Sequence, residues 1–214
     1  MFYPFEMEKY LETLLGQREP LLQEMEEQAL KEMIPVVTPT VGNYLNLLIH
    51  MSKAQSILEI GTAIGYSTIW LARAAEETGG RVTTIDLNKD RLKRSQEYFE
   101  RAGLGNRITA IAGDARKILP TLDSTFDFVF IDAAKGEYLE YLSHIYPLIA
   151  PEGLLVVDNV LFRGWVVPGS DFPVKYDRMV SGLRQFLQDL CQNSDFSTTV
   201  LPFGDGLSVS RKWI

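Results

Sequence analysis

Five short apolar runs in this 214-residue chain each close on or near an acid. SILEI carries Glu59, RVTTID ends on Asp86, RITAIAGD on Asp114, FDFVFID on Asp132, and GLLVVDN on Asp158 and Asn159. Lys135 follows Asp132 by three residues, an acid and a base near enough in sequence to share a proton-transfer site. If the runs are strands of one parallel sheet, a ligand sits in the crevice outside their carboxyl ends. Carboxylates gathered along that edge repel one another unless cations or hydroxyl donors lie among them. The pattern asks for a ligand bearing positive charge, hydroxyls or both, and for a metal ion. Each acid also has a structural reading: Asp114 and Asp132 could cap the helices that follow them, whereas Asn88 is better placed than Asp86 to cap KDRLKRS.

The elements that must position these residues follow from periodicity. Helix-like stretches at Ser67 to Glu77, Lys89 to Ala102, Ala115 to Leu119 and Gly136 to Ile149 separate the runs. This alternation predicts a mostly parallel sheet with helices on both faces. A last helix, Lys175 to Cys191, precedes FSTTVLP and LSVSRKW, and the short FGDG between them predicts an antiparallel hairpin. Before the sheet, Phe5 to Leu15, Leu21 to Met33 and Val41 to Met51 have helical spacing, with IPVVTPT as a break because Pro35 and Pro39 oppose helix. In EIGTAIGYS, Gly61 and Gly65 permit a tight turn after the first strand. Neither the dinucleotide fingerprint nor a phosphate-binding Gly-Lys-Ser/Thr is present, so a nucleoside carrying an ammonium group suits this loop, with Asp86 accepting from its ribose hydroxyls.

Bulk properties bound the function. Hydrophobic residues make up 46% and charged residues 23%, the balance of a globular chain rather than a disordered one. The length suits one domain, here residues 1–214, with 1–53 as a helical cap and dimer segment and 54–214 as the cofactor-binding core. The acidic start lacks a secretion pattern and no run could span a membrane, so a cytoplasmic protein is expected. A net charge of −7 lacks the global basic footprint that favours non-specific nucleic-acid binding. Cys191 is the single cysteine, expected to pack as a small apolar residue, and His50 and His144 are expected to be structural.

The motifs LEIGTAIGYS, TIDLN, GDA, FVFIDAAKGEY, VVDNVLFRG and PFGDGLSVS, in that order, resemble the S-adenosylmethionine- and divalent-metal-dependent O-methyltransferases of the catechol and caffeoyl-CoA type. Within that group IGTAIGYS, IDAAKG and DNVLF look most similar to bacterial tRNA 5-hydroxyuridine methyltransferases. The resemblance implies a Rossmann-like class I methyltransferase fold: a seven-stranded sheet, an antiparallel C-terminal hairpin and added N-terminal helices. It implies S-adenosyl-L-methionine bound by Val37, Glu59, Gly61, Ser67, Asp86, Asp114, Ala115 and Asp132. It implies Mg²⁺ or another divalent cation on Asp132, Asp158 and Asn159, hard oxygen ligands suited to it. Lys135 then matches the lysine beside the reacting hydroxyl, with Asp132 at the same centre, and a homodimer is expected.

The resemblance implies methylation of 5-hydroxyuridine in tRNA to 5-methoxyuridine, with a small catechol-like or hydroxycinnamoyl acceptor as the alternative. A non-catalytic cofactor-binding module is a remote third reading. Two departures bear on the acceptor. Ala134 replaces a second acid typical of the plant caffeoyl-CoA enzymes, and PVKYDRMVSGLR is only mildly basic. Phe162, Arg163 and Trp165 follow the metal ligands and could wall the acceptor pocket. Trp165 could stack on a flat ring or pack against the N-terminal helices.

Overall fold

Consecutive residues of a strand face opposite sides of its sheet, so a strand covered on both faces must be apolar throughout. From Phe128 onward FDFVFI does this: Phe128 and Phe130 join one apolar cluster, Val129 and Ile131 the other. The computed structural model, which describes residues 5–213, contains a seven-stranded sheet. Its strands are β1 (Ser56–Ile60), β2 (Arg81–Asp86), β3 (Ile108–Ala112), β4 (Phe126–Ile131), β5 (Ile149–Val157), β6 (Phe196–Leu201) and β7 (Leu207–Lys212). The order is β3-β2-β1-β4-β5-β7-β6, with the first five parallel and β7 antiparallel to both β5 and β6. The expected architecture is therefore present, hairpin included.

The helices are α1 (Phe5–Leu14), α2 (Pro20–Glu32), α3 (Pro39–Ser52), α4 (Tyr66–Thr78), α5 (Lys89–Arg101), α6 (Ala115–Ile118), α7 (Tyr138–Ile145) and α8 (Asp177–Gln192). Buried side chains of α2, α3, α4 and α5 pack with Ile57, Phe128 and Val156 on one face. Those of α7 and α8 pack with Leu58, Val129 and Leu155 on the other. Among the described residues no helix is long and apolar enough to cross a membrane.

Three expectations need correction. Pro39 does not break a helix but starts one: Thr38 caps α3 and Pro39 takes the first turn, where its missing N–H is not needed. The helix expected from Gly136 to Ile149 is shorter. A turn at Lys135–Glu137 leads into α7, a second turn at Tyr146–Leu148 holds Pro147, and Ile149 already pairs with Phe126 as the start of β5. Cys191 is exposed rather than packed, because Val180, Leu183, Phe186 and Leu190 make the buried stripe of α8 and Cys191 lies one residue round from it.

Candidate active site

Hydrogen bonds continue the parallel ladder one step past the strands. Asp132 N donates to Ile60 O, Asp158 N to Ile131 O, Gly61 N to Ile85 O and Gly113 N to Asp86 O, each at 2.9 Å. These bonds set Asp86, Asp132 and Asp158 along one edge. The edge falls where strand order reverses between β1 and β4, the place where open α/β sheets bind ligands. A cavity of about 590 Å³ opens there. Gly61, at φ 102°, lets the β1 loop touch β4, since a Cβ would meet the Asp132 carbonyl oxygen at 1.9 Å.

Of the predicted cofactor residues, Val37, Gly61, Ser67, Asp86, Asp114, Ala115 and Asp132 line this cavity. Glu59 does not. It lies in the β1 interior, fully buried, accepting from Ser67 Oγ at 2.6 Å, Thr84 Oγ1 at 2.6 Å and Thr68 Oγ1. Its side chain points to the face that α4 covers, so only four of the five strand-end acids reach the crevice. Burial pushes its carboxyl up to about 7, against the pull of the three hydroxyls. An acid raised on folding weakens the fold as pH climbs from the unfolded pKa of about 4.3 through the folded one. Stability should thus fall between about pH 4.5 and 7 on this account. Glu59→Gln should flatten that decline in thermal melts of the ligand-free protein, and parallel melting profiles for the two proteins would refute the assignment.

Asp86 Oδ2 accepts from Ala63 N and Oδ1 from Asn88 N, both at 2.7 Å, so it ties the glycine loop to the start of α5. Asn88 is indeed the α5 cap. Each Asp86 oxygen keeps a second lone pair for a hydroxyl donor. Asp114 caps α6 and forms a two-pronged pair with Arg116, whose guanidinium holds its carboxyl down to about 2. Arg116 also reaches Glu137 at 3.3 Å. Its bridging role was not legible in GDAR, because Glu137 arrives from α7's approach across the cavity mouth.

At the other end stand Asp132, Asp158, Asn159, Lys135 and Asp205. Asp132 does not cap the turn after it; Asn159 Nδ2 donates to its Oδ1 at 3.2 Å. Burial, then the charge of Asp132, drives the Asp158 carboxyl well above its usual range, and burial also raises Asp132 against the opposing charge of Lys135. Tyr138 Oη donates to the Asp158 carbonyl at 2.9 Å and fixes the strand end from beneath. Asn159 is left-handed, as are Phe162 and Arg163, each at a cost of order 1 kcal/mol or more. Asp205, on the β6–β7 tip, was not singled out in the sequence. The signal was available, because a strand antiparallel to β5 must begin at the edge where β5 ends.

The loop after β5 differs from both readings of Trp165. Its ring packs on Phe162, Phe172 and Tyr176, at centroid distances of 5.0, 6.0 and 5.1 Å, and neither it nor Phe162 nor Arg163 lines the cavity. Arg184 on α8 donates to the carbonyls of Trp165, Val166 and Val167, anchoring the loop to the body. His50 and His144 lie on helices away from the cavity, as expected.

Similarity to known proteins agrees with this geometry. Residues 12–213 match a family model described as O-methyltransferase. A catechol O-methyltransferase of Niastella koreensis is 34% identical over 201 residues, covering 91% of this chain and 89% of that protein. Caffeoyl-CoA O-methyltransferase 2 of Populus trichocarpa is 31% identical, over 94% of this chain and 86% of its own. The crystal structure of the O-methyltransferase TomG from Streptomyces achromogenes, in complex with SAM, superposes with a TM-score of 0.85 at 32% identity, covering 98% of this chain and 96% of that one.

Proposed function

The chain belongs to the O-methyltransferase family, and we propose that it moves the methyl group of S-adenosylmethionine to a hydroxyl of a small, uncharged hydroxylated aromatic compound. The observation that carries this reading is the composition of the cavity. Three carboxylates, an amide and Lys135 meet at one end, and the whole lining holds six carboxylates against three cations. Such a lining attracts a sulfonium and a divalent cation and, once they are bound, has no surplus positive charge to hold the phosphates of a tRNA backbone or a coenzyme A thioester. The aromatic side chains that might stack on an unpaired base are also spent on one another. The 5-hydroxyuridine reading therefore gives way to the small-acceptor alternative.

The cofactor's ribose fits at Asp86 and its adenine at Asp114 and Ala115, with Val37 covering it from the segment before α3. A divalent cation fits Asp132, Asp158 and Asn159: hard oxygen donors, and two carboxylates whose mutual repulsion such a charge relieves. Turning the Asn159 amide by 180° presents its oxygen, the orientation a cation needs. When bound, the cation supplies the charge that draws an acceptor hydroxyl into place and eases loss of its proton. Lys135, as the neutral amine that its charged form gives when it has released its own proton, accepts the hydroxyl proton. The oxygen then displaces the sulfonium in line: the O–CH₃ bond forms as the S–CH₃ bond breaks, the sulfur keeps the electron pair, and charge disappears. Alignment matters more here than an oxyanion hole.

The test is competition among acceptors with S-adenosylmethionine and Mg²⁺, products being identified by mass spectrometry. Catechol should show a higher kcat/KM than caffeoyl-CoA or tRNA bearing 5-hydroxyuridine. Methylation of the tRNA with catechol untouched would reverse the choice of acceptor.

A further inference from the structure

The turn after β5 is strained, and its internal bonds, Gly164 N to Leu161 O and Trp165 N to Phe162 O, are supplemented from outside. Asn159, Phe162 and Arg163 adopt φ values of 61°, 42° and 58°, where side-chain-bearing residues are strained. The tip between β6 and β7 supplies an external hold. The Gly206 carbonyl accepts from Val160 N at 2.9 Å, the Asp205 carbonyl accepts from Leu161 N at 3.0 Å, and the Asp205 carboxylate accepts from Arg163 N. Gly206 permits this approach, since a Cβ there would meet Leu161 Cγ at 2.3 Å. Two of the three bonds come from backbone and survive any substitution that keeps the chain in place. The third depends on one side chain and acts on Arg163, the last side-chain-bearing left-handed residue of the turn.

We propose that Asp205 is a positioning residue, whose carboxylate locks this strained turn so that Asn159 stays aimed at Asp132. The inference rests on the reading that Asp132, Asp158 and Asn159 receive the cation and the acceptor. The lock requires an acceptor atom at Asp205 Oδ1, not a negative charge. Asn supplies that atom and Ala does not.

Asp205→Ala and Asp205→Asn separate these roles. Arg163 is exposed, so trypsin cleavage after it, followed by fragment mass spectrometry, reports opening of the turn, with other exposed basic residues as internal controls. Loss of one hydrogen bond to a charged group predicts cleavage about tenfold faster in the Ala variant, and an Mg²⁺ concentration for half-maximal activity raised about as much. S-adenosylhomocysteine affinity should stay as in the parent for both variants. The Asn variant should match the parent in cleavage while its Mg²⁺ requirement rises less than that of the Ala variant, since the Asp205 charge also faces Asp158. Unchanged cleavage in the Ala variant, or an Asn variant as impaired as the Ala one, overturns the proposal. If the turn opens as expected while none of the tested acceptors is methylated by the parent, Asp205 keeps its role and the acceptor reading fails.

Discussion

Asp158→Ala should lower turnover about a thousandfold or more, equivalent to about 4 kcal/mol of transition-state stabilisation. Asp158 is buried at the end of β5, beside Asp132, and its carboxylate accepts from Asn159 N at 2.7 Å. Removing it takes one of two charged donors from the proposed cation site and frees the Asn159 backbone. The fold should persist, since the Tyr138 bond goes to the Asp158 carbonyl rather than to its side chain. S-adenosylhomocysteine should still bind, because the ribose and adenine ends of the cavity lie at Asp86 and Asp114. Excess chelator should bring the unmodified protein to the same low rate and leave the variant unchanged. Full activity of the parent in chelator would refute the cation role of this set.

How much of this was legible beforehand follows from which residues act locally. Strand runs, helix stripes and the Asn88 cap depend on neighbours a few positions apart, so the sheet and most helices could be read directly. The Cα partners along β1, β2 and β4 then bring Asp86 and Asp132 to one edge without further information. What resisted reading depended on direction or on distant partners. Glu59 precedes the last residue of β1, and one residue of offset turns a side chain from crevice to core. Three hydroxyls from α4 and β2 had to converge to hold it there. Trp165 follows the site in sequence, yet Phe172 and Tyr176 fold back to occupy its ring. Arg116 meets Glu137 only because α6 and the approach to α7 share the cavity mouth. The fate of Pro39 turned on the residue before it, since Thr38 converts a breaker into a start.

Lys135→Ala should lower turnover by about a hundredfold to ten-thousandfold, the range for loss of a positioned general base, with cofactor affinity little changed. The Ala variant alone is ambiguous, because Lys135 also supplies positive charge to its surroundings. Its ammonium opposes the upward shifts of Asp132, Asp158 and Asp205. Its loss would therefore favour protonation of Asp132 and Asp158, the two carboxylates proposed to hold a cation. Lys135→Arg separates the two effects. A guanidinium keeps the charge but stays protonated throughout the working pH range, so it cannot accept a proton from the acceptor. If proton removal is the role of Lys135, the Arg variant should keep the parent's Mg²⁺ requirement while turning over as slowly as the Ala variant. Recovery of turnover to within about tenfold of the parent, a difference of about 1.4 kcal/mol, would assign Lys135 to electrostatic support instead. Proton removal would then fall to another group or to solvent. Raising the pH distinguishes these cases further, because a hydroxyl that loses its proton to solvent needs no side-chain base, and the Ala variant's deficit should shrink as the medium becomes more alkaline.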